Sequence, residues 1–490
     1  MVPGTAMAFP GIKDAAKRAK QVAEALQGLG IKLGDRIGTL AWNTHRHFEL
    51  YFGISGLGAV LHTINPRLAP DHVAYIANHA EDQVIFVDLN LLPIVEGVWE
   101  HLKTVKHVVV MTDRAHMPES KKIPKLLCYE DLIADKPGTL TWPLFDEKTA
   151  SSLCYTSGTT GNPKGVLYSH RSTMIHAMMS SNGAVIPMDP DTTVLPVVPM
   201  FHANAWGLVY AAPICGAKLV FPGPKLDGAS VYELLDKEKV TLSAGVPTVW
   251  LALLDYCAQN KFKMSSVKRT LIGGSAVPLA MIERFWKEHG VEVVQGWGMT
   301  EMSPLGTLCS LKNKHMDLPE DERMKILLKQ GRAIFGVDMK IVDGEGRELP
   351  WDGKAYGDLL VKGPWIVDRY YRASGSPLVP DAQAAAQAPP PASTPAAAPQ
   401  PQVPSTPVMT LAAEAVEPTV EFYVPAGTEP HLRVEFSIRH DDTGRVVYST
   451  NVDAQTTGDR YVSQGHWISG SAEPGTYTLM ARLFDGTREL

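Results

Sequence analysis

Between Asp381 and Glu414 the chain carries no charged residue, and residues 377–412 are mostly Ala, Pro, Gln, Ser and Thr. Such a stretch cannot bury enough apolar surface to offset the entropy of ordering itself, so it reads as an extended, flexible linker. It splits the 490 residues into two separate folding problems. The expected organisation is a large domain over residues 1–372, a linker over 373–418 and a small module over 419–490.

In the large part, Ala15, Ala19, Val22, Leu26 and Leu29 recur at helical spacing on one face of residues 12–29. Short apolar runs follow at 36–41, 59–64, 83–87 and 107–111, each separated by enough chain for a helix. That alternation is the α/β pattern. A formal charge of -6 and a pI near 6.2 leave no electrostatic footprint for nucleic acid. The most apolar region, 194–221, is interrupted by Pro196, Pro199, His202, Asn204, Pro213 and Lys218, so no membrane span is expected. Five cysteines, odd in number and without C-x-x-C spacing, suit a reducing compartment. Residues 1–10 hold no basic residue and no signal-type apolar core, and cytoplasm is the expected location.

The run Tyr155-Thr-Ser-Gly-Thr-Thr-Gly-Asn-Pro-Lys-Gly-Val166 combines hydroxyls at Thr156, Ser157, Thr159 and Thr160 with Gly158, Gly161, Gly165 and Lys164, and has no acid. Glycines let backbone N–H groups turn inward, and hydroxyls and an ammonium add donors and positive charge, so the run suits an anion. It is not a Walker A loop, because Asn162-Pro163 precedes Lys164 and Gly165 follows it. The apolar run 153–155 before it and a helix near His170 after it place it where strand becomes helix. By composition alone a polar surface turn fits equally well.

Three further runs stand out downstream. Pro199-Met-Phe-His202 ends a strand over 193–198, and a histidine there is either hydrogen-bonded structure or a ligand contact. Residues 271–278 read as strand, Gly-Gly-Ser turn and a helix beginning at Pro278. In 295–301, Gly296 and Gly298 bring backbone close to a neighbour, and Thr300-Glu301 offers a hydroxyl and a hard carboxylate, though it also fits a helix start. Met174, Met178 and Met179 read as adaptable core filler or as the wall of a flexible pocket. His45 and His47, two apart, do not share a helix face, and with His62 they read as capping and packing residues.

Taken in this order, the runs at 155–166, 199–202, 271–278 and 295–301 resemble the signature segments of the adenylate-forming superfamily, which includes acyl-CoA synthetases, luciferases and peptide-synthetase adenylation domains. Residues 41–52 and Asn65-Pro66-Arg67-Leu68 are similar to its medium- to long-chain fatty acid–CoA ligase branch. The resemblance implies an α/β fold, a large domain of mixed sheets flanked by helices, and it implies ATP, Mg²⁺ and CoA as cofactor and co-substrates beside a fatty acid. It assigns Thr156, Ser157, Gly158, Thr159, Thr160, Gly161 and Lys164 to pyrophosphate, Thr300 to the α-phosphate and Glu301 to Mg²⁺. Gly274, Ser275 and Ala276 would pack on adenine, with Gly296 and Gly298 close to the nucleotide and with His202 and Trp297 at the acyl end.

The resemblance continues through Gly331-Arg332, Gly363-Pro364 and Tyr370-Tyr371-Arg372, then stops. The family's ribose-binding aspartate, hinge and lysine-bearing C-terminal domain are not visible in residues 373–490. Instead, strand-like runs at 420–424, 432–439, 445–451, 461–468 and 476–483 suggest a small all-β sandwich-like domain, faintly similar to immunoglobulin-like and carbohydrate-binding modules. A glycan or another protein is the partner class such a module implies. Two expectations follow: a fatty acid–CoA ligase impaired by the missing domain, or a non-catalytic nucleotide- or acyl-binding relic tethered to a binding module.

Overall fold

A computed structural model describes residues 11–156 and 162–373 in full, and backbone strands between Val408 and Glu489. Residues 11–156 and 163–373 belong to one compact unit, and the strands beyond Val408 to a second.

The first unit is built on two seven-stranded sheets. In one, β1 (Arg36–Leu40), β2 (Val60–Thr63), β3 (Asp82–Val87), β4 (His107–Val110), β5 (Leu126–Cys128), β6 (Ala150–Tyr155) and β7 (Gly165–Ser169) run in the order β5-β4-β3-β1-β2-β6-β7. All neighbours are parallel except β6 and β7. The other holds β8 (Thr193–Pro196), β9 (Lys218–Leu219), β10 (Leu242–Gly245), β11 (Arg269–Ile272), β12 (Glu292–Gly298), β13 (Leu305–Cys309) and β14 (Arg332–Ala333) in the order β14-β13-β12-β11-β10-β8-β9. Here β8 to β12 are parallel, and β13 and β14 are antiparallel additions. A separate antiparallel pair, β15 (Asp338–Val342) and β16 (Asp358–Lys362), follows.

The apolar runs read from the sequence become the parallel strands because both faces of such a sheet are covered. One core joins Ile37, Leu61 and Val84 of the first sheet to Val194, Leu242, Leu271 and Val294 of the second. The outer face of the second sheet packs Leu195 and Ile272 against Val231, Trp250 and Leu254 from helices Gly228–Lys237 and Pro247–Asn260. Each such side chain stabilises the fold by roughly 1.5–3 kcal/mol relative to exposure. The helix expected over 12–29 spans Gly11–Gly28 and buries Ala15, Ala19, Val22 and Leu26. It lies so close to the helix His45–Gly56 that a Cβ on Gly53 would come 2.7 Å from Val22. Arg18 closes the contact with ion pairs to Glu49 at 2.7 Å and Glu130 at 3.0 Å.

Several local expectations differ from the structure. The 155–166 loop joins two antiparallel strands, because 165–169 pairs with β6 before the helix His170–Ser180 begins; it is a hairpin, not a strand-to-helix turn. Met174 and Met178 are exposed, so of the three methionines only Met179 packs on the core. Among the described residues no helix is long and apolar enough to cross a membrane.

In the second unit, Val408–Thr410, Leu432–His440, Val446–Asp453, Thr476–Asp485 and Arg488–Glu489 form one antiparallel sheet. Thr419–Phe422, Gln455–Thr457 and Arg460–Gln464 form another. The first of these strands falls inside the stretch read as linker.

Candidate active site

Because β8, β10, β11 and β12 are parallel, their carboxyl ends open on one edge of the second sheet, where open α/β sheets bind ligands. Asn43 fixes the exit from β8: its side chain donates to the carbonyls of Pro196 at 2.8 Å and Val198 at 2.9 Å and accepts from the Met200 N–H at 2.6 Å. The chain then presents His202, whose ring is reached by solvent yet closely flanked by protein. Loss of hydration lowers its pKa, which favours the neutral imidazole at physiological pH.

Immediately after His202 the backbone makes a left-handed turn. Ala203, Asn204, Ala205 and Trp206 have φ of 43°, 54°, 49° and 56°, and Gly207 follows at 77°. Left-handed geometry costs a non-glycine residue roughly 1–2 kcal/mol, and strain of this kind persists only where surroundings hold it. Asn204 does the holding: buried, it donates from Nδ2 to Ser152 Oγ at 3.1 Å and accepts at Oδ1 from the Tyr51 hydroxyl at 3.3 Å. Gly207 has no substitute, since a Cβ there would lie 2.7 Å from His176 Nδ1. His176 is buried, accepts the Leu305 N–H at Nε2 over 3.2 Å, and has its pKa pushed down to about 3 by desolvation.

The turn brings Trp206 against the end of β11. A Cβ on Gly273 would sit 3.2 Å from the Trp206 ring and 2.8 Å from the Gly296 carbonyl, so glycine alone lets these three segments meet. Gly274 follows in the left-handed region at φ +84°, and Gly274, Ser275 and Ala276 are all exposed. Gln295, buried in β12, accepts the Val277 N–H at 2.8 Å and donates to the Lys329 carbonyl at 2.9 Å, which fixes this turn from behind.

Beyond β12 the chain folds back tightly enough that a Cβ on Gly298 would overlap the Pro304 carbonyl oxygen at 1.8 Å. The short 3₁₀ turn Thr300–Met302 follows. The Tyr168 hydroxyl of β7 donates to the Thr300 carbonyl at 2.5 Å, while the Thr300 hydroxyl makes no hydrogen bond among the described residues. Glu301 is half-buried, and its Oε1 accepts the Tyr370 hydroxyl at 2.6 Å.

The 155–166 hairpin approaches from the first sheet. Its neck is closed by the Thr156 N–H to the Lys164 carbonyl at 2.9 Å and the Lys164 N–H to Thr156 Oγ1 at 3.3 Å. Lys164 is exposed, pairs with no carboxylate among the described residues, and places its Nζ 5.1 Å from the centre of the Tyr370 ring. Ser157, Gly158, Thr159, Thr160 and Gly161 lie outside the described residues.

Lys164, Thr300 and Glu301 are thus tied together through Tyr168 and Tyr370. His202 leads into the turn that seats Trp206 beside Gly273 and Gly296. Trp297 is half-buried, 3.1 Å from where a Cβ on Gly306 would lie. Sequence reading missed Trp206, Asn204 and Tyr370 as site residues. Tyr370 was noted only as part of a phrase, and an asparagine between alanines next to Gly207 was the one available sign of left-handed backbone. The histidines read as structural are so: His47 bonds Thr39 Oγ1 at 3.1 Å and the Trp42 carbonyl at 3.0 Å, and His62 bonds Asp82 at 2.8 Å. Among the described residues no cluster of three or more His, Cys, Asp or Glu could hold a metal.

Two mixed sheets, a hydroxyl- and glycine-rich hairpin, and a Thr-Glu turn linked to Lys164 through Tyr370 make up this α/β scaffold. The profile of the AMP-binding enzyme family matches residues 12–371, and the chain belongs to that family. It is 49% identical over 368 residues to the 3-methylmercaptopropionyl-CoA ligase of Ruegeria lacuscaerulensis, covering 75% of this chain and 68% of the relative. It is 47% identical over 367 residues to the medium-chain-fatty-acid–CoA ligase of Ectopseudomonas oleovorans, covering 75% and 67%. Among solved structures, the anthranilate CoA ligase AuaEII in complex with anthranoyl-AMP superposes with a TM-score of 0.66 at 25% identity, covering 74% of this chain and 66% of that one. The chain therefore spans about two-thirds of the length of these relatives. Ligases of this family use ATP, Mg²⁺ and CoA.

Proposed function

We propose that residues 1–372 activate a medium- to long-chain fatty acid with ATP, forming an acyl-adenylate and pyrophosphate on the way to acyl-CoA. The observation that carries this reading is that Lys164, on the hairpin of the first sheet, and the Thr300-Glu301 turn at the carboxyl edge of the second sheet are linked through Tyr370, with the exposed 274–276 turn and His202 on that same edge of the second sheet.

In the proposed reaction the fatty acid carboxylate attacks the α-phosphorus, the bond to the bridging oxygen breaks, and pyrophosphate leaves. The carboxylate is already a nucleophile, so no general base is required, and catalysis rests on positioning and charge neutralisation. Lys164 and the 156–161 hydroxyls and N–H groups receive the departing pyrophosphate. Thr300 donates to an α-phosphate oxygen. Gly274, Ser275 and Ala276 take the adenine face, with Gly296 and Gly298 close to the nucleotide. His202, Trp297 and Trp206 shape the acyl end, where a neutral imidazole serves as a hydrogen-bond partner. Glu301 fits a magnesium ion: it is a hard oxygen ligand, half-buried and without a basic partner among the described residues. Magnesium there supplies charge neutralisation to the phosphates.

The boundaries at 372 and 418 and a cytoplasmic location belong to this proposal. All five cysteines are free, as a reducing compartment requires. The rival reading, a relic tethered to a glycan- or protein-binding module, gains no support from relatives that are themselves ligases. Pyrophosphate release from MgATP across saturated acids of increasing length tests the proposal, with Lys164→Ala and Glu301→Ala as controls. Release with medium to long acids that both substitutions abolish is expected. Release that neither substitution alters overturns the assignment.

A further inference from the structure

The segment that follows β16 crosses between the two halves of the site and is fastened at both. On one side the Val367 N–H donates to the Glu301 carbonyl at 2.9 Å; on the other the Tyr371 N–H donates to the Gly165 carbonyl at 2.7 Å. Tyr370 lies between these anchors. Its hydroxyl donates to Glu301 Oε1 at 2.6 Å and its ring face receives Lys164 Nζ at 5.1 Å. Gly165 gives the strap its close approach, since a Cβ there would come 3.1 Å from Tyr371 Cβ.

An unpaired lysine and a carboxylate facing one site attract each other, and a direct ion pair would silence both. Tyr370 stands between them and satisfies each separately: the phenol hydrogen bond occupies one carboxylate oxygen, and the ring quadrupole holds the ammonium. Glu301 makes no other side-chain hydrogen bond among the described residues, so Oε2 stays open. The Tyr168 hydroxyl at the Thr300 carbonyl holds the backbone of the same turn from β7 but touches neither charge.

We propose that Tyr370 is a positioning residue that keeps Glu301 and Lys164 apart and aimed into the site, so that Glu301 Oε2 is presented to a divalent cation while Lys164 remains available to phosphate. This rests on the nucleotide-binding reading given above. The two contacts make separable predictions. Tyr370→Phe keeps the ring under Lys164 and removes only the hydrogen bond to Glu301; Tyr370→Leu removes both.

Calorimetric titration of the full chain with ATP in magnesium and with ATP in EDTA reads the two terms apart, with thermal melting as a check on folding. The expected result is that Tyr370→Phe weakens MgATP binding about tenfold, the usual worth of a hydrogen bond to a charged group, and leaves metal-free ATP binding unchanged. Tyr370→Leu weakens both. MgATP binding by Tyr370→Phe equal to that of the parent chain overturns the proposal, as does an equal loss with and without magnesium. A folded parent chain that binds ATP in neither condition overturns the nucleotide reading on which the proposal stands.

Discussion

Replacing Asn204 separates the two forces that shape the turn behind His202. Asn204→Ala removes the hydrogen bonds to Ser152 and from Tyr51, each worth about 1 kcal/mol, and puts alanine at φ 54°, adding roughly another 1 kcal/mol of left-handed strain. The expected loss is about 3 kcal/mol. Asn204→Gly loses the same hydrogen bonds but adopts this φ without the roughly 1 kcal/mol of strain, less about 0.5 kcal/mol for the extra unfolded-state entropy of glycine, so it should be about 0.5 kcal/mol more stable than the alanine variant. Urea unfolding followed by tryptophan fluorescence measures both, provided the slopes agree. Glycine less stable than alanine at this position would refute the claim that the backbone here is strained, whatever the absolute losses.

Ala205→Gly removes a buried methyl worth roughly 1 kcal/mol, adds about 0.5 kcal/mol of unfolded-state entropy and relieves strain of roughly 1–2 kcal/mol, so it should stay within about 0.5 kcal/mol of the parent chain in a urea melt, where helix interiors ordinarily lose about 1 kcal/mol. His176 has a folded pKa near 3 against an ordinary 6.5, so the unfolded chain binds the proton first and the stability it contributes is lost as pH falls from 6.5 towards 3. His176→Gln should flatten that part of the stability–pH curve by about 1.4 kcal/mol per pH unit, one proton's worth; an unchanged slope would show that His176 titrates normally. Gly298→Ala places a methyl on the Pro304 carbonyl oxygen and should cost about 3 kcal/mol or more and displace the Thr300–Met302 turn, seen as lost ATP binding.

The two-sheet core was legible because its strands are buried on both faces and read as continuous apolar runs: 36–41, 59–64, 83–87 and 107–111 became β1 to β4 within a residue or two. In the run 295–301, Gly298 marks a backbone contact, with the Pro304 carbonyl, that no side chain would admit. The hairpin at 155–166 was misread as a strand-to-helix turn because the edge strand Gly165–Ser169 carries its apolar signal on just three residues, Val166, Leu167 and Tyr168, before the Ser169 cap. Met174 and Met178 are exposed where core filler was one of two readings, because methionine at helical spacing says nothing about which face is covered. Tyr370 and Asn204 act through partners more than fifty residues away in sequence, Glu301 and Ser152, and spacing within one stretch carries no trace of such pairs. The neutral state favoured for His202 likewise follows from its flanking walls, which only the folded chain provides.

The most direct test of the account is to mix the chain in stoichiometric amount with MgATP and octanoate, without CoA, and examine the quenched products by mass spectrometry. The account predicts octanoyl-AMP together with pyrophosphate, neither of which forms with Glu301→Ala. ADP and phosphate in their place, or untouched ATP from a chain shown to be folded, would contradict it.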